Sequence, residues 1–111
     1  MNQEYTGLTL DTIEPISLVE LHEKAEFERI GQVLHNALPH FFDHFKKEGV
    51  TVYTINQSGT PVFALSVKPE GYTEHIVGDH NRAPTQDEMA IITQLLTNQG
   101  IENRYNPNTI A

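Results

Sequence analysis

The chain has 111 residues, no cysteine, and 15 acids against seven bases, for a formal charge of −8. That length is one domain, large enough to bury a core without cross-links. The missing cysteines exclude disulfides, thiolate zinc sites and Cys nucleophiles, and the lack of a basic footprint argues against direct nucleic-acid binding.

Residues 1–16, with Gly7, Pro15 and weak alternation in "YTGLTL", read as an extended segment. They lack the basic and apolar regions of a signal peptide, and no run of about 18 apolar residues follows anywhere, so no membrane association and a cytoplasmic location are expected. A single domain is expected over 17–105, with 106–111 as a frayed tail. Of the net charge, −5 falls in residues 1–30, through seven acids and two bases.

Ser17-Leu18-Val19-Glu20 has the form of a capping box and predicts a helix start. Glu20–Lys24 and Lys24–Glu28 would extend it with i,i+4 pairs. From Ile30 the apolar residues Val33, Leu34, Ala37, Leu38, Phe41, Phe42 and Phe45 keep a helical period. Pro39 falls inside this run, where it removes a donor and crowds the preceding turn. The first helix should therefore kink at Pro39, or break and restart there with Pro in the first turn. Gly49 is a natural stop.

A β region follows. "VTVYTI" (50–55) alternates and is β-branched, "NQSGTP" (56–61) is turn chemistry with Gly59 able to take positive φ, and "VFALSV" (62–67) returns as a hairpin strand. The last has apolar residues on both faces, which suits a central strand. "KPEG" turns again into "YTEHIV" (72–77). After the loop "GDHNRAPT" (78–85), Thr85-Gln86-Asp87-Glu88 is a second capping box, opening a helix to about Asn98 that Gly100 ends. "IENRY" (101–105) could add a fourth, edge strand. Together these predict an α+β, two-layer sandwich: a three- to four-stranded antiparallel sheet with two amphipathic helices on one face.

Three places carry candidate chemistry. In "HFFDH" (40–44), His40 and His44 stand i,i+4 apart, the spacing of helical zinc ligands. His-x-x-Asp-His resembles the His-x-x-Glu-His of inverted zinc peptidases over these five residues, with Asp43 one methylene shorter than the Glu. On a helical wheel His44 edges the apolar stripe, while His40 and Asp43 face outward. A catalytic site would need a third ligand, from His75 or Asp79–His80. The second place is the loop with Asp79, His80, Asn81 and Arg82, which feeds a helix N-terminus and so offers a contact surface for a partner or an anion. The third is the acidic run with Glu20, Glu23 and Glu26, which reads as a docking face for a basic surface or as a solvated charge ladder.

No phosphate-binding glycine loop, dinucleotide fingerprint or nucleophile elbow is present, and no cofactor is expected. The sequence therefore favours a non-enzymatic role. The expected function is that of a small acidic module that inhibits or adapts another protein with a basic surface, as immunity or anti-defence proteins do. Partner contact would run through Glu20, Glu23, Glu26, Asp79, His80, Asn81 and Arg82. The alternative is a metal-dependent hydrolase built on His40, Asp43 and His44. An unpaired edge at 72–77 or 101–105 would let two copies pair as a homodimer.

Overall fold

The computed structural model describes residues 16–105; the expected extended segment, save Ile16, and the frayed tail lie outside them. Its elements in chain order are β1 (Ile16–Leu21), α1 (Lys24–Leu34), a 3₁₀ turn (Leu38–Phe41), α2 (Phe42–Glu48), β2 (Thr51–Gln57), β3 (Thr60–Val67), β4 (Tyr72–Val77), a second 3₁₀ turn (Asp79–Asn81), α3 (Gln86–Asn98) and β5 (Glu102–Asn103). The fold is α+β, with no helix long and apolar enough to cross a membrane among the described residues.

The sheet has five strands in the order β1-β2-β3-β4-β5 and is mixed. β1 to β4 are antiparallel neighbours, and β5 runs parallel to β4. The parallel pair follows from connectivity: α3 carries the chain back across the sheet before β5, whereas the other strands are close enough in sequence for antiparallel return. The expected three or four purely antiparallel strands are corrected on both counts. The β2–β3 turn is made by Ser58 at φ 52° and Gly59 at φ 82°, the positive pair of a two-residue hairpin.

The predicted helix start at Ser17 is also corrected. Residues 16–21 form β1, paired with β2 from Ile16↔Gln57 to Leu21↔Val52. "ISLVEL" alternates well enough to serve either structure, and the strand wins because β2 offers a full partner. The helix begins three residues later, at Lys24, where the Glu26 carboxylate accepts the backbone N–H of His22 at 2.7 Å and of Glu23 at 2.8 Å.

The apolar run 30–45 is broken rather than kinked, and the break precedes Pro39. His35 caps α1 in the left-handed region (φ 53°, ψ 55°). Asn36 Oδ1 then accepts the Leu38 N–H at 3.0 Å. Pro39, the second residue of the 3₁₀ turn, folds back over Gly31, where a Cβ would lie 2.5 Å from Pro39 Cδ. α2 ends at Gly49, φ 73°. Phe42 meets Phe27 edge to face, with ring centroids 5.0 Å apart.

The helices cover both faces of the sheet, and the expectation of two helices on one face is overturned. From Phe63 to Leu65, successive β3 residues belong to different cores. Phe63, Leu65 and Val67 pack with Ile55, Ile76, Ile92 and Leu96 beneath α3. Ala64 packs with Leu21, Val52, Phe27, Ile30 and Leu34 beneath α1, and Phe42 and Phe45 of α2 extend that cluster. A strand with apolar residues on both faces needs two covering layers, because side chains alternate sides along it.

α3 opens with the predicted capping box. Thr85 Oγ1 accepts the Glu88 N–H at 3.2 Å, and Glu88 Oε1 accepts the Thr85 N–H at 2.9 Å.

Candidate functional site

The short α2 covers only part of the sheet face it shares with α1. An open groove of about 450 Å³ remains beside it. Val52, Ala64, Ser66, His75 and Val77 line it from the sheet; cross-strand pairing (Val52↔Ser66, Ala64↔Val77, Ser66↔His75) puts them on one side. Leu38, Phe41, His44 and Phe45 line it from the 3₁₀ turn and α2, and Asn36, Ala37 and Asn81 close one end. Phe41 stacks on Phe45 at 5.5 Å yet stays 44% exposed. The lining is therefore mainly apolar, with a few polar groups, as in many ligand and peptide sites.

At the Asn36–Asn81 end, two distant segments meet. His35 Nδ1 lies 2.6 Å from Asp79 Oδ1, and His80 Nδ1 lies 3.1 Å from Asp79 Oδ2. The two imidazoles stack nearly parallel, 4.4 Å between centroids and 12° between planes. The hydrogen bond from His35, reinforced by that from His80, holds the Asp79 carboxyl below its ordinary pKa, against a smaller opposing effect of burial. The backbone is unusual here. His35 (φ 53°), His80 (φ 55°) and Asn81 (φ 62°) are three of the four non-glycine residues with positive φ among the described residues. Such conformations are sparsely populated and persist only where the surroundings hold them.

Arg82, expected to offer a free guanidinium to a partner or an anion, turns inward. Its Nη1 and Nη2 donate to Glu88 Oε1 and Oε2 at 2.8 and 3.0 Å, and it lies over the Phe63 ring at 5.0 Å. The Glu88 side chain is only 3% exposed, so this is a bidentate pair on a buried carboxylate. It pins the 78–85 loop to the first turn of α3.

The other predicted residues fall in separate places. Glu20 is exposed on β1 and pairs with His22 at 3.7 Å. Glu23 is the exposed N-cap of α1, while Glu26 is occupied by backbone N–H groups. His40 and Asp43 are exposed on the 3₁₀ turn and α2, and His44 reaches the groove that His75 also lines. Among the described residues, the group of three ligand-bearing side chains that converges is His35, Asp79 and His80, not the 40–44 pair with a third partner. His35 was not singled out by sequence reasoning; it lies 44 residues from Asp79, and no spacing rule links them.

One strand edge lies where expected, at β4 and β5, and a second lies at β1. β5 covers only Tyr72 and Thr73 of β4, and at the opposite side β1 has no outer partner among the described residues.

In comparison with known proteins, the chain matches no family model, no curated protein and no solved structure.

Proposed function

We propose that this protein is a binding module and not an enzyme: a small acidic domain that seats a segment of another protein and so inhibits or adapts it, in the manner of immunity or anti-defence proteins. The observation that carries the reading is the open apolar groove with Phe41 exposed at its edge. A large aromatic left in water beside a concave apolar surface is the pattern of an interaction anchor. The groove's size suits one or two anchoring side chains of a partner segment.

Charge supplies the rest of the reading. A net charge of −8 favours a partner whose apolar anchor is flanked by Lys or Arg, and makes the association fall with salt. Glu20, in a long 3.7 Å pair with His22, and Glu23, the N-cap of α1, are exposed acids that could meet such flanks. Glu26 is excluded from that role because its carboxylate caps the helix. Asn81 lines the groove's end, Asp79 and His80 precede it in the same turn, and Arg82 contributes by holding their loop.

The test is affinity purification of tagged chain from its source cells, with wild type, Phe41→Ser and Glu20→Lys/Glu23→Lys run side by side. A basic protein retained by wild type, lost with Phe41→Ser and released early by salt from the double variant supports the reading. A partner that both variants hold as well as wild type, or no specific partner, refutes it.

A further inference from the structure

We infer that His35, Asp79 and His80 form a binding site for one borderline divalent transition metal ion, of the zinc, cobalt or nickel type, at the end of the groove. This goes beyond the partner-binding reading and does not depend on it.

The three side chains each offer one ligand atom, and all three atoms lie within 4.8 Å of one another. His35 Nδ1 stands 2.6 Å from Asp79 Oδ1 and His80 Nδ1 stands 3.1 Å from Asp79 Oδ2, so the carboxylate meets the two rings through different oxygens. With metal–ligand bonds of about 2.0–2.2 Å, tetrahedral ligand atoms stand roughly 3.3–3.6 Å apart, so the 2.6 Å pair opens and the wider separation closes as the exposed rings turn about the ion. Both imidazoles present Nδ1 to the same carboxylate. A carboxylate can only accept, so in the metal-free protein each Nδ1 carries the proton it donates. For an ion to bind there, each ring moves that proton to Nε2 or releases it to water, which frees the Nδ1 electron pair for the metal.

The donor set selects the metal class. Two imidazole nitrogens and one carboxylate oxygen suit zinc and its first-row neighbours, whereas calcium and magnesium need a shell of oxygens. The His35 and His80 side chains are 57% and 71% exposed. Three protein ligands on an open surface leave at least one coordination position to water, as in catalytic rather than structural zinc sites.

The backbone argues the same way. A left-handed helix cap is ordinarily Gly or Asn, yet α1 is capped by His35, and the facing turn holds His80 in the same region. Both conformations aim imidazoles at Asp79, and a bound ion would clamp the end of α1 to the β4–α3 loop.

The test uses tag-free, chelator-stripped protein titrated with Co(II), read by its visible ligand-field bands, and with Zn(II), read by calorimetry and melting temperature. The informative variant is His35→Gly, because Gly suits the left-handed cap and the fold should survive. Asp79→Asn is the second, and His44→Ala is the control. The expected result is one ion per chain in wild type and in His44→Ala, with affinity down at least tenfold in His35→Gly and Asp79→Asn. No binding by wild type, binding undiminished in His35→Gly, or binding lost in His44→Ala overturns the site.

Discussion

Replacing Arg82 by Ala removes both guanidinium hydrogen bonds from Glu88, a carboxylate that is 3% exposed and also accepts the Thr85 N–H at 2.9 Å. Breaking a buried pair by deleting one partner costs about 3–5 kcal/mol, most of it the penalty of the charge left behind. The Arg82 side chain is 31% exposed, so water partly reaches the vacated site and the low end, about 3 kcal/mol, is expected. For a domain of this size that is a fall in melting temperature of roughly 12–24 °C. Urea unfolding should show the loss as a lower midpoint at unchanged slope. The double variant Arg82→Met/Glu88→Gln supplies the internal check. Gln keeps the capping geometry of α3, no charge is buried, and most of the lost stability should return. A cost below about 1 kcal/mol for Arg82→Ala would mean that the pair behaves as an exposed one, and would refute the claim that it pins the 78–85 loop.

Other expectations follow from single contacts. Gly31→Ala in a helix interior would ordinarily stabilise by up to about 1 kcal/mol; here the new methyl meets Pro39 Cδ at 2.5 Å, so the sign should reverse to a loss of about 1–3 kcal/mol in chemical denaturation. Phe27→Ala removes a 4% exposed ring that meets Phe42 edge to face and should cost about 3–5 kcal/mol, with near-ultraviolet dichroism reporting loosened packing around α2. The Glu26 carboxyl is held below its ordinary pKa by the backbone N–H groups of Glu23 and His22. A depressed carboxyl contributes stability above its unfolded pKa and loses it as pH falls through the folded value. Glu26→Gln should therefore flatten the acid side of the stability curve below about pH 5, measured by urea midpoints across pH; an unchanged acid slope would refute the cap's role.

Much of the β region was legible in sequence because its signals are local. The Ser58–Gly59 turn, the β-branched runs on either side of it and the Thr85–Glu88 capping box each depend on residues within a few positions of one another. Pro39 likewise announced a kink or a break, since its missing N–H and its ring act on the turn that contains them, but the choice of a break ahead of it, at His35, was not local to Pro39. Ser17–Glu20 carried an equally local helix signal and lost. The pairing that β2 offers to residues 16–21 is a long-range contact, and it outweighs a cap when the segment alternates. The two-faced apolar pattern of "VFALSV" required cover on both sides, but which helix lies on which face is set by chain path and not by any residue in the strand.

The candidate sites divide along the same line. Sequence determined the charge, the absence of thiol chemistry, and the presence of histidines near Asp79. Tertiary structure alone decided that Arg82 is spent on Glu88, that α2 is too short to close the groove, and that His35 lies beside Asp79 while His40 and His44 gain no third ligand among the described residues. Spacing along a chain reports neighbours within a turn or a strand. A site built from a helix cap and a loop 44 residues later exists only after the sheet between them has folded.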